Sequence, residues 1–99
     1  VRVLAATTGL AHLRELNLSE NGITPYGGRV LVAAPWLPGL RVLDLGRNRL
    51  TDTSGRALLQ AGFGHRLERL DLIGNDFSLE MRKSLVAQFG PKVRCARPR

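Results

Sequence analysis

Displaced along itself by 27 residues, this chain overlays its own pattern, and that constraint bears on every later reading of it. Leu13-Arg14-Glu15-Leu16-Asn17-Leu18-Ser19-Glu20-Asn21-Gly22-Ile23 falls on Leu40-Arg41-Val42-Leu43-Asp44-Leu45-Gly46-Arg47-Asn48-Arg49-Leu50. A second displacement lands on Leu67-Glu68-Arg69-Leu70-Asp71-Leu72-Ile73-Gly74-Asn75-Asp76-Phe77. Each copy reads L-x-x-L-x-L-x-x-N-x-[LIF]. Leucines two apart in an extended segment point to one side, so Leu16 and Leu18, Leu43 and Leu45, and Leu70 and Leu72 each mark the buried side of a short strand. No single copy can enclose that apolar side, so neighbouring copies must stack.

The segments between the strands repeat too. Gly28-Arg29-Val30-Leu31-Val32-Ala33-Ala34 aligns with Gly55-Arg56-Ala57-Leu58-Leu59-Gln60-Ala61, Lys83-Ser84-Leu85-Val86-Ala87 keeps the register, and Arg2-Val3-Leu4-Ala5-Ala6 precedes them. Steps of three and four residues between Val30, Leu31 and Ala34, and between Ala57, Leu58 and Ala61, predict helices. Each starts alike, with Thr24 before Pro25, Thr51 before Asp52 and Ser78 before Leu79-Glu80. A hydroxyl cap accepts an orphan backbone N–H, and proline at the first helical position has no N–H to orphan. Asn21, Asn48 and Asn75 fall where the chain must leave the strand, where their amides can satisfy backbone groups of their own and the adjacent repeat.

These residues resemble the leucine-rich repeat family, specifically its ribonuclease-inhibitor-like branch, over residues 2–90. The resemblance implies an α/β fold: a right-handed β-α superhelix with parallel strands on the concave side and α-helices on the convex side. The repeats are slightly shorter than is usual in that branch, and Gly64 stands where the preceding repeat has Leu37, with Phe63 available to take the core place. The chain reads as a single domain over 1–99: a truncated repeat helix in 1–12, repeats at 13–39, 40–66 and 67–90, and a cap with a basic tail in 91–99. Gly90 and Pro91 should stop the last helix. Val93 to Cys95 should then add an edge strand, blunted by its charges. The whole reads as the C-terminal part of a longer array, whose uncapped first helix, exposing Val3, Leu4 and Leu10, would allow end-to-end self-association.

The resemblance implies a non-catalytic protein–protein interaction scaffold with the concave side as the contact face. On that face the outward residues are Glu15, Asn17, Ser19, Val42, Asp44, Gly46 with its neighbour Arg47, Arg69, Asp71 and Ile73. Like positions in adjacent strands stand about 4.8 Å apart. One column, Asn17–Asp44–Asp71, brings two carboxylates together. Such a pair could share a proton or hold a cation, but no nucleophile or histidine faces it, and a solvated acidic ladder open to a partner is the better reading. Glu15–Val42–Arg69 and Ser19–Gly46–Ile73 complete a mixed surface.

Lysine and arginine number 15 against 8 acidic residues, a net charge of +7. That excess favours encounters with acidic partners, and Lys92, Arg94, Arg97 and Arg99 concentrate it near the end. Arg2, Arg29, Arg56 and Lys83 recur at one helix position. The stripe admits an accessory role in binding nucleic acid or an acidic surface, but no stacking aromatics repeat with it, which favours a solvated helix face. A third reading is a structural or regulatory segment of a larger multidomain protein. His12 and His65 are out of register with each other and without partners at metal-ligand or catalytic spacing. Trp36 and Tyr26 are the large polar-tipped aromatics, and Trp36, just past a helix, reads as core cover or a minor contact point. No cofactor motif and no catalytic constellation is present, which argues against an enzyme. Cys95 is the one cysteine, which excludes an internal disulfide and favours a reducing, cytoplasmic setting. No apolar run approaches the roughly 20 residues that span a membrane.

Overall fold

The computed structural model describes residues 13–34, 37–61 and 66–95. The expectations placed on Arg2, Val3, Leu4, Leu10, His12, Trp36, Phe63, Gly64, His65, Arg97 and Arg99 lie outside those residues.

Among the described residues, four short strands form one parallel sheet in sequence order: β1 (Glu15–Asn17), β2 (Val42–Asp44), β3 (Arg69–Asp71) and β4 (Val93–Arg94). The register follows the repeat. Leu16 pairs with Leu43 and Leu43 with Leu70, so the leucines line up in adjacent, same-direction strands. Pairing continues past the strand ends, with Leu18 N donating to Asp44 O at 2.8 Å and Leu45 N to Asp71 O at 2.8 Å. The last strand forms as the sequence leads one to expect, Leu70 pairing with Val93 and Asp71 with Arg94.

Three α-helices of the described residues connect these strands: α1 (Pro25–Val32), α2 (Asp52–Gln60) and α3 (Leu79–Phe89). Each begins one residue after its expected cap. Thr24 Oγ1 accepts from Gly27 N at 3.2 Å and Ser78 Oγ from Met81 N at 3.1 Å. At α2 the reciprocal bond is present, Thr51 N donating to Ser54 Oγ at 3.3 Å, which leaves Ser54 polar yet buried. Helix α3 stops where Gly90 takes φ +72°, a left-handed value that glycine tolerates at a helix end. A 3-10 turn, Gly90–Lys92, leads from there into β4.

The core lies between sheet and helices. Leu37, Leu40, Leu43, Leu45, Leu50, Leu58, Leu70, Leu72 and Leu85 are each at most 1% exposed. Burying each such side chain is worth about 1.5–3 kcal/mol, which is how a chain without a disulfide holds together. Ala61 departs from its expected place. It is the exposed C-cap of α2, because the helix ends before its inward side returns.

Successive helices approach closely at one repeated position. A Cβ added at Gly28 of α1 would lie 2.8 Å from Leu50 Cδ2, and one at Gly55 of α2 would lie 2.6 Å from Met81 Sδ. Both glycines admit the following repeat. These features make an α/β repeat fold with a four-stranded parallel sheet.

Candidate functional site

The sheet has one buried and one open side, and the open side carries the residues expected to face a partner. Along the strands, the central leucine of β2 and β3 is buried, while Glu15, Asn17 and Arg69 are exposed and Val42, Asp44 and Asp71 half-buried. Parallel registry stacks them as expected: Glu15 beside Val42 beside Arg69, and Asn17 beside Asp44 beside Asp71.

The middle column has a structural task that its sequence pattern does not announce. Asn17 Oδ1 accepts from Ser19 N at 2.9 Å, Asp44 Oδ1 from Gly46 N at 2.9 Å, and Asp71 Oδ1 from Ile73 N at 3.0 Å. Each side chain closes an Asx turn that takes the chain off its strand. One oxygen of each carboxylate is spent in this way. The other is available, and that of Asp71 faces Arg94 at 3.9 Å.

The third column is not uniformly outward. Gly46 is buried, because the turn of the next repeat folds over it: a Cβ there would stand 3.2 Å from the Ile73 carbonyl oxygen and 3.1 Å from Asp44 Oδ1. Ser19 and Ile73 are half-buried, while Arg47 is exposed and pairs with Glu20 at 3.0 Å. Glu20 and Arg47 both adopt left-handed backbone, φ 57° and 55°, and the equivalent third residue is Gly74 at 83°. Between these turns lies a hollow of about 290 Å³ bordered by Glu20, Arg47, Asp44, Asp71 and Arg94. It alternates in sign, so it suits a polar contact of either charge better than a single ion.

Beneath the turns run the asparagines, in the role their position suggests. Asn48 Oδ1 accepts from Asn21 N and Ile23 N, both at 2.9 Å, while its Nδ2 donates to the carbonyls of Leu18, Leu45 and Gly46. Asn75 does the same one repeat later, accepting from Leu50 N and donating to Leu45 O and Leu72 O. These bonds tie neighbouring repeats and are structural.

On the helix layer Arg29, Arg56 and Lys83 are exposed, as the stripe requires. Tyr26 is 59% exposed. Cys95 is buried, and desolvation pushes its thiol above the ordinary value, with nearby Arg82 opposing the shift. Asp52 is the second perturbed group: the hydroxyl and then the amide of Ser78 hold its carboxyl below the ordinary value, with a smaller contribution from Arg56. Among the described residues no group of three His, Cys, Asp or Glu is placed to hold a metal ion, and no helix is long and apolar enough to cross a membrane.

A family model described as Leucine Rich repeat matches residues 9–32 and 39–59. No curated protein and no solved structure matches the chain. The third copy, beyond the matched segments, repeats the strand and helix geometry of the first two and the Asn geometry of the second. Domains of this family generally mediate protein–protein interaction, and their repeats are typically non-catalytic. Two segments of the chain are thus similar to leucine-rich repeats, and the described copies share one structural plan.

Proposed function

We propose that the chain is a non-catalytic interaction scaffold of the ribonuclease-inhibitor-like kind, a single domain over 1–99 whose repeats follow a right-handed superhelix. The open side of the sheet is its concave contact face. The observation that carries this reading is the one-sided burial of the strands: leucines face the helices, while the intervening Glu15, Asn17, Val42, Asp44, Arg69 and Asp71 stay accessible or half-accessible. Ser19, Arg47 and Ile73 extend that face onto the turns. The mixture of signs suits a protein surface, where charge complementarity sets specificity and orientation more than raw affinity.

The test must respect the Asx turns. Reversing the charge of Asp44 or Asp71 would remove a turn acceptor along with a surface charge. Asp44→Asn and Asp71→Asn keep the acceptor oxygen and remove the charge. Combined with Arg69→Glu, they should reduce partner capture from cell extract at least several-fold while the melting temperature stays near that of the unaltered protein. Capture that survives this triple change with the fold intact would assign binding to another surface.

A second reading rests on the exposed Arg29, Arg56 and Lys83. An anionic polymer tracking them would bind with an affinity that falls steeply with salt, in proportion to the phosphates neutralised. A salt titration with single-stranded RNA separates the two readings.

A further inference from the structure

The position that lets helices pack is altered in α3. Gly28 in α1 and Gly55 in α2 receive Leu50 and Met81 of the following repeat. The equivalent residue of α3, 27 positions on from Gly55, is Arg82. A bulky, charged side chain therefore stands where α1 and α2 leave room for a neighbour. Directly beside it, between α3 and β4, opens a groove of about 680 Å³, within the size range of ligand sites.

Its floor is apolar, made by Val86, Ala87 and Val93 with Ile73 at one side. Val86 is 51% exposed, although its counterparts Val32 and Leu59 pack against the core. Around this floor stand Arg82, Lys83 and Arg94, with no acidic side chain in the lining. The Nε of Arg82 is buried and finds no hydrogen-bond acceptor among the described residues. A buried guanidinium N–H without an acceptor is costly, and a carboxylate is the partner that matches it best.

We propose that this groove binds an acidic peptide segment of a partner protein, with an aliphatic side chain on Val86 and Val93 and a carboxylate accepting from the Arg82 guanidinium. Two features select this occupant over a further repeat. Arg82 stands at the position of close helix approach, and Arg82 and Lys83 favour negative charge in whatever covers the groove, while Arg94 already faces Asp71. The net charge of +7 adds long-range attraction for the same kind of partner. The groove lies at the β4 end of the stack and shares only Ile73 and Arg94 with the hollow on the open side of the sheet, so changes at Arg82 and Val86 leave that side unaltered.

The probe is a short fluorescein-labelled peptide of alternating glutamate and leucine, measured by anisotropy against the whole chain at low and physiological salt. Saturable binding is expected, weakened about tenfold or more by Arg82→Ala, the scale of losing a charge-assisted hydrogen bond. Val86→Glu, on a half-exposed side chain, should abolish binding with an unchanged circular-dichroism melt, while Arg29→Glu on α1 leaves it nearly intact. No saturable binding by the unaltered protein overturns the proposal. So does equal binding of an all-glutamate peptide, which would reduce the effect to net charge, or undiminished binding by Val86→Glu. Concentration-dependent dimerisation that Val86→Glu removes would give the groove to a second copy and likewise overturn it.

Discussion

At the scale of single residues, Asn48 is the hinge of the fold. Its amide makes five hydrogen bonds to backbone groups of two repeats, from a side chain 8% exposed. Asn48→Ala leaves buried backbone donors and acceptors unsatisfied at once and should cost about 2–4 kcal/mol. Urea denaturation should show this loss, with a much smaller one for Asn21→Ala, whose exposed amide donates to the Ser19 carbonyl at 3.0 Å. Cys95 offers a second test. Burial raises its thiol pKa and shrinks its thiolate fraction, and the thiolate is the nucleophile. Alkylation by iodoacetamide at mildly alkaline pH should be several-fold slower in the folded chain than in denaturant. Equal rates would show that Cys95 is not enclosed between α3 and β4.

Between elements, one carboxylate couples α2 to the start of α3. Asp52 lies in the first turn of α2 and accepts from the N-cap amide of α3, Ser78 N, at 2.8 Å. The pairing favours the ionised form, so the folded-state pKa is depressed below 3.8. A depressed acid contributes stability that is present above its unfolded value and lost as pH falls through its folded value. Asp52→Ala should therefore melt lower than the unaltered chain near neutral pH, and the gap should narrow as pH falls below 3.8. A gap that stays constant through that range would mean the bond does not depend on charge. The contribution is modest, since the carboxylate of this part-buried residue lies near solvent, which screens it.

For the molecule as a whole, stability rests on contacts between neighbours rather than on any one repeat. Leu70 is fully buried in β3, which pairs with both β2 and β4. Leu70→Ala should cost about 2–5 kcal/mol by transfer and cavity. That is a large share of the roughly 5–15 kcal/mol typical of a small domain. Because β3 joins the strands on either side, the loss should appear as one cooperative shift of the circular-dichroism melt. Separate melting of the α1 side and the α3 side would show that the repeats are only loosely coupled. The surface ion pairs add little: Arg41–Glu68, Arg47–Glu20 and Arg94–Asp71 each have an arginine more than half exposed.

The periodic leucines, the hydroxyl caps and the asparagines settled the strand register, the helix starts and the ties between turns, because each is a local device repeated at constant spacing. The closing strand at Val93 was legible for a similar reason, a glycine and a proline ending the helix before it. Which polar side chains are free for a partner was decided only by the tertiary structure. Asp44 and Asp71 look like a bare acidic ladder until folding sets one oxygen of each against the amide two residues on. The left-handed turns fall on Glu20 and Arg47, side chains that give no warning of it. Arg82 reads as one more helical cation until stacking sets it at the place that Gly28 and Gly55 keep empty. Spacing along a chain specifies what recurs within a repeat; what meets across repeats depends on how closely they approach.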